Sequence, residues 1–285
     1  GSSYAGQKEE FISGSPLAVT DVVIGNDGAF YFTVGGRGTQ SALYRVYYDG
    51  SESTEPAKRQ ESQDTINARA QRHALEAFHG KQNPAAVETA WAFLGSKDRF
   101  LRYAARIAVE SQPVAEWQER ALNEKDPQAA AVALIALARQ GDPAVQPQML
   151  KALARFDFAT LEETPALGLL RAYALCFIRM GRPDQSSIDT AVAQINPLLP
   201  ASTEPMNSEL LQMLVYLDAP GVVEKGMALI ADKRPDAIPD WAELLKRNQG
   251  YGGTIQKMLD NHPPTRGIGY AFILRNARHG WRMPQ

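Results

Sequence analysis

The chain has 285 residues, a formal net charge of −2 and 44% hydrophobic residues, a balance typical of globular proteins and long enough for one elongated domain or two compact ones. Near-neutral charge argues against a general affinity for nucleic acid or anionic membrane, which needs a broadly basic surface, and leaves only a local basic face open. No stretch approaches the roughly 18 consecutive apolar residues of a membrane-spanning helix.

Residues 1–18 are polar, and poor order is expected of them. The opening GSSYAGQKEE has no basic region followed by an apolar one, so it does not read as an intact signal peptide. Its first residues read as a cloning remnant, and the chain as a piece cut from a longer protein.

Residues 19–49 carry the only β-pattern. Val19 to Ile24 predicts a strand, Gly25 to Gly28 (GNDG) a tight turn, and Ala29 to Val34 a second strand. Gly35 to Ser41 (GGRGTQS) reads as a loop, and Ala42 to Tyr48, with alternating apolar and polar residues, as a third strand. The three predict an antiparallel meander. Such a sheet has two open edges and too little surface for a core of its own, so it is expected to pack on other structure or pair with another sheet. Residues 50–63 lack apolar periodicity and read as a linker.

From residue 64 to 285 helix punctuation recurs. Asn83-Pro84, Asp126-Pro127, Asp142-Pro143 and Thr164-Pro165 each set a capping side chain before a proline, which has no amide to leave unpaired in the first turn. Gly80, Gly95, Gly141 and Gly181 follow helical runs, where a left-handed residue closes a helix at low cost. Arg99 to Glu110, Gln128 to Gln140, Ala166 to Met180 and Ser208 to Leu217 resemble one another, with small and apolar residues at helical spacing. Their centres lie roughly 30 to 40 residues apart, the period of two-helix repeats. Ala115 to Asn123 and Ala144 to Phe156 supply partner helices. One pair cannot bury its apolar face alone, so the prediction is a mainly α fold: a HEAT-like α-α superhelix, or solenoid, preceded by the short antiparallel β-meander. Near the end, Asn248 to Thr254 (NQGYGGT) reads as a helix break, and Thr265 to Trp281 as a last helix with a broad apolar face.

The stretch TDVVIGNDGAFYFTVGGRGTQSALYRV (Thr20 to Val46) resembles the final blade of a β-propeller of the glucose/sorbosone-dehydrogenase type. With GSESTEP (Gly50 to Pro56), DRFLRYAARIAVESQP (Asp98 to Pro113) and ILRNARHGW (Ile273 to Trp281), it is similar to multidomain proteins of planctomycetes and related bacteria. In that family a propeller is followed by HEAT-like repeats and usually by a c-type cytochrome domain. The resemblance implies a parent that is periplasmic, secreted or membrane-anchored, with haem c and a quinone as cofactors of its other parts. This chain departs from the pattern: the earlier blades are absent and no CxxCH is present, so neither cofactor is expected here. In a complete propeller, Arg37 and Gln40 would lie near one end of the central channel, and they are the loop residues named as binding candidates.

Other chemistry-bearing residues have plain structural readings. Cys176 is the single cysteine, lies in an apolar run and reads as a core residue; alone it forms no internal disulfide, haem attachment or zinc cluster. His73, His79, His262 and His279 are scattered, and the first two, six apart, fall on different helical faces, unlike a zinc-binding i, i+4 pair. Glu162 and Glu163 suit a helix start. Trp91, Phe93 and Phe100 are expected to pack between repeats.

Three functions follow for comparison. The first is a non-catalytic scaffold or interaction module of a larger redox protein, its partners being the parent's other domains or a protein on the solenoid surface. The second is a part of a sugar or polyol dehydrogenase whose active site lies mostly in the missing propeller. The third is a HEAT-like DNA-binding protein, resting on Arg102, Arg106, Arg139 and Arg171, which are spread over several helices and balanced by acidic neighbours. The first is the expectation, with no nucleic acid and no membrane insertion.

Overall fold

A computed structural model of the chain describes residues 1–6, 9–14, 16–36, 38–53, 55, 61–232, 249–261 and 263–282. It is mainly helical, with a small three-stranded antiparallel sheet ahead of the helices. Two compact units divide it: Tyr4–Ser62 with Asp240–Met258, and Gly1–Ser3, Gln63–Pro239 with Leu259–Gln285.

The sheet consists of β1 (Val19–Ile24), β2 (Phe30–Gly36) and β3 (Thr39–Val46), in that spatial order. The β1–β2 turn follows from its residues: Gly28 adopts φ 77, the left-handed region open to glycine, and its amide donates to the Gly25 carbonyl at 2.9 Å. Asp27 accepts from the Ala29 amide at 3.1 Å, from the Tyr31 hydroxyl at 2.8 Å and from the Arg45 guanidinium at 3.0 Å. Those bonds, the Tyr31 hydroxyl first, hold its carboxyl down at about 2. One face is aromatic: Phe32 stacks on Tyr44, with centroids 4.9 Å apart, and Phe11 meets Phe30 edge-on. Strand β1 is exposed along its whole length. The expected seven-residue loop is shorter than predicted. Gly36 pairs with Thr39, so both strands extend into GGRGTQS and leave only positions 37 and 38 between them.

The helices are α1 (Gln63–Glu76), α2 (Ala86–Trp91), α3 (Arg99–Glu110), α4 (Gln118–Asn123), α5 (Pro127–Gln140), α6 (Gln146–Leu153), α7 (Glu163–Met180), α8 (Gln185–Ile195), α9 (Glu204–Tyr216), α10 (Val222–Ala231), α11 (Gln249–Asp260) and α12 (Thr265–Leu274). Short 3-10 turns precede α4 and α6, so the predicted partner helices are shorter than their sequence spans. Helices α1, α3, α5, α7 and α9 pack each against the next in chain order, and α12 follows on α9. Helices α4, α6 and α8 form a second row, α4 against α5, α6 against α7, α8 against α9.

Helix α5 explains the tightness of this packing. Its sequence, PQAAAVALIALARQ, is apolar nearly all round, and Ala129 to Leu134 and Ala136 to Ala138 are buried. A helix of that kind is stable only between others. On α7, Gly168 faces α5 so closely that a Cβ there would stand 2.9 Å from the Ala131 Cβ. Polar clamps fix neighbouring turns. Buried Gln112 accepts from the Asn83 amide at 2.8 Å and donates to the Lys81 and Ala108 carbonyls. Glu124 accepts from Trp91 Nε1 at 2.7 Å, tying α2 to the start of α5.

Several boundaries differ from expectation. Asp126 caps α5 as predicted, accepting from the Ala129 amide, and Asp142 caps a 3-10 turn. Thr164 is no cap: α7 begins one residue earlier, behind Glu162, which puts Thr164 and Pro165 within the first turn, where proline still costs no hydrogen bond. Asp98 and Asp184 cap α3 and α8 without a following proline. Gly80 and Gly181 have positive φ, at 68 and 95, whereas Gly141 ends α5 with an extended backbone at φ −73, ψ 157. Helix α11 runs through Gln249 to Thr254, so the predicted break is wrong over those residues, and Asn248 lies outside the described ones. Each interior glycine costs roughly 1 kcal/mol against alanine, a weaker penalty than a break requires. The last helix stops at Leu274, well short of Trp281; Tyr270 and Leu274 are buried, Ile268 and Phe272 exposed. Near the start of the chain, Ser2 is buried and donates its amide to Asp98 at 2.5 Å.

Two outcomes follow. Gly168→Val drives a branched side chain into Ala131 and is expected to lower stability by about 1–3 kcal/mol, read from the urea midpoint at unchanged slope. The Asp27 carboxyl, depressed on folding, stabilises the turn above the unfolded value of about 4 and loses that effect as pH falls towards about 2. An NMR titration of its side chain is expected to show that low midpoint, and Tyr31→Phe to raise it.

Candidate functional site: an arginine-lined groove

Because α3, α5 and α7 lie side by side, residues at three- and four-residue spacing on each come to one face. Helix α3 brings Arg99, Arg102, Tyr103 and Arg106; α5 brings Val132, Ile135 and Arg139; α7 brings Arg171 and Leu175. Together they line an open groove of about 420 Å³. Val132 is buried and Ile135 and Leu175 are half-buried, so the floor is apolar, while Arg99, Arg139 and Arg171 are exposed around it.

The cations are held in different ways. Glu110 has a side chain only 5% exposed and receives Arg106 Nη1 at 3.1 Å and Arg139 Nε at 2.9 Å on the same oxygen. Arg102 Nη1 donates to the Ser96 and Lys97 carbonyls at 2.5 and 3.0 Å. The Arg106 guanidinium lies over the Tyr103 ring at 5.2 Å, and that of Arg99 over Phe100 at 4.9 Å. Arg171 makes no hydrogen bond or ion pair among the described residues. Five guanidiniums thus face the groove, and among the described residues Glu110 is the single carboxylate bonded to any of them. Arginine keeps its charge at any ordinary pH and offers a planar fork of donors that fits carboxylate or phosphate oxygens. Arranged round an apolar floor, those donors can hold an anion that also carries apolar surface.

Sequence reasoning had named Arg102, Arg106, Arg139 and Arg171, and all four meet here, with Glu110 as the balancing acid. It missed Arg99 and Tyr103, although their spacing from Arg102 and Arg106 puts them on the same side of one helix. Gln40 sits exposed on β3, and Arg37 lies outside the described residues. His79 bonds the Ala104 carbonyl at 2.9 Å, His73 stands beside Arg72, and His279 lines a small pocket with Asp218; His262 lies outside the described residues. No group of three or more His, Cys, Asp or Glu residues suited to a metal ion occurs among the described residues. Burial pushes the Cys176 thiol up to about 12, with Gln146 opposing weakly, so it stays protonated at neutral pH. Trp91 is buried and Phe93 partly so, whereas Phe100 is 40% exposed, beneath the Arg99 guanidinium. No protein-family model, curated protein or solved structure matches the chain.

Glu110 separates two guanidiniums that would otherwise repel. Glu110→Gln is therefore expected to lower stability by about 1–3 kcal/mol, a loss that shrinks in high salt as the repulsion is screened. Urea unfolding at two ionic strengths measures both.

Proposed function

We propose that this chain is a non-catalytic scaffold and protein-interaction module whose helical unit is a HEAT-like α-solenoid. The observation that carries the reading is the order of packing: α3, α5, α7 and α9 each touch the next along the chain, with a second row of helices behind them. Nearest-neighbour contact of that kind is how repeat arrays bury their faces, and such arrays commonly work by offering an extended surface. The groove on α3, α5 and α7 is the part of that surface with a chemical character of its own.

The resemblance of Thr20 to Val46 and of the tail to the propeller, HEAT-like and cytochrome proteins supports a larger redox protein as the parent. In that reading haem and quinone chemistry belong to the other domains, and this chain holds them together or recruits a partner. A second reading, a HEAT-like DNA-binding protein, is favoured by one observation, the convergence of the arginines.

The native polypeptide decides the first reading. Immunoprecipitation from source cells with an antibody to the helical unit, followed by blotting and haem staining, is expected to give a haem-positive band far above 31.2 kDa. A haem-free band at that mass overturns it.

A further inference from the structure

We infer that the groove on α3, α5 and α7 binds an extended acidic peptide in which an apolar side chain is flanked by carboxylates. The inference rests on the reading of the helical unit as an interaction module and names the chemistry of its ligand.

The charge pattern selects an anion. Arg99 and Arg171 are exposed and have no carboxylate partner among the described residues, while Arg106 and Arg139 share one. Arg102 is steadied by two backbone carbonyls, which leave its charge uncompensated. Guanidiniums braced in this way lose little freedom on binding, which favours bidentate capture of carboxylates.

The floor selects a peptide over a nucleic acid. Val132, Ile135 and Leu175 have no donor or acceptor and would lie beneath the ligand. A sugar-phosphate backbone gains nothing from such a surface, whereas a Leu or Phe side chain gains about 25 cal/mol per Å² of apolar area removed from water. Glu110, buried and bonded to both Arg106 and Arg139, cancels part of the groove's positive charge, so the groove suits a few spaced carboxylates better than a continuous run of phosphates. Span also fits. Two steps of about 8–10 Å between packed helices make about 16–20 Å, the reach of about five or six extended residues.

Fluorescence anisotropy on the whole chain tests this with a labelled hexapeptide, Glu-Asp-Leu-Glu-Phe-Asp. Comparison probes are hexaglutamate, the same peptide with lysine at each acidic position, and a single-stranded and a duplex oligonucleotide of twelve nucleotides or base pairs. The expected order is the acidic–apolar peptide first, hexaglutamate weaker, the lysine peptide unbound, with affinity falling as salt rises. Arg171→Glu and Arg99→Glu, both exposed and outside the core, are each expected to weaken the peptide by about tenfold, or 1.4 kcal/mol, with unchanged thermal unfolding. No binding, equal binding by both variants, or hexaglutamate matching the mixed peptide overturns the assignment. Tighter binding of either oligonucleotide overturns it in favour of nucleic acid. A haem-bearing parent of high mass together with an empty groove would sink this inference alone; peptide binding by a haem-free native chain of 31.2 kDa would sink the larger parent and leave the groove standing.

Discussion

The helical unit depends on how closely α7 can approach α5. Contact there is glycine on alanine, Gly168 against Ala131, with no room for a further carbon. Helices that touch through such small residues have backbones near the lower end of the usual 8–10 Å separation. The neighbours of α5 must then enclose it nearly completely, which is why its buried residues run around the helix instead of along one stripe. Each small side chain contributes little burial by itself, so stability comes from many close contacts in series.

The same closeness creates the groove. Bringing α3, α5 and α7 together on small inner residues crowds the long side chains of their other face. Arg106 and Arg139 come near enough to need a shared carboxylate. Glu110 provides it from the last turn of α3, largely buried, and in doing so fixes both guanidiniums relative to the floor. Arg179 adds a second tie, donating to the Ala138 and Arg139 carbonyls at the open end of α5, where a cation suits the helix dipole. Packing and electrostatics are therefore one arrangement: spread the helices and the cations separate.

Much of this was legible in the residues. The alanine-rich run of α5, the Asp126-Pro127 start and the alternation in β3 are local signals, and the helices and strands form where those signals lie. Boundaries governed by tertiary contact were less so. Thr164 carries the signature of a cap but lies inside α7, since Glu162 already supplies the extended residue before the helix. Glycines at 250, 252 and 253 weaken a helix without ending it, and α11 passes through them. The arginines were visible as types and hidden as a site. Their helical phase can be read from spacing, but convergence depends on which helices are neighbours and which way each is turned. Glu110 reads as a surface acid until Arg139, from another helix, is brought against it.

The groove also ends for a reason. Its face continues along α7 from Arg171 through Leu175 to Ile178, which is 71% exposed. On α9 it meets Tyr216, stacked on Phe177 with centroids 5.5 Å apart. Arg182 covers that ring at 5.5 Å and is bonded to Asp218 at 2.9 Å and to the Tyr216 carbonyl at 3.0 Å. A cation is present there too, but its charge is matched and its donors are engaged. Along this face, among the described residues, the guanidiniums in excess of carboxylate lie around the groove of α3, α5 and α7, although helices of the same row continue beyond them. A uniformly basic strip would suit a long polyanion; a short charged patch passing into apolar and neutralised surface suits a ligand with few charges and an apolar part.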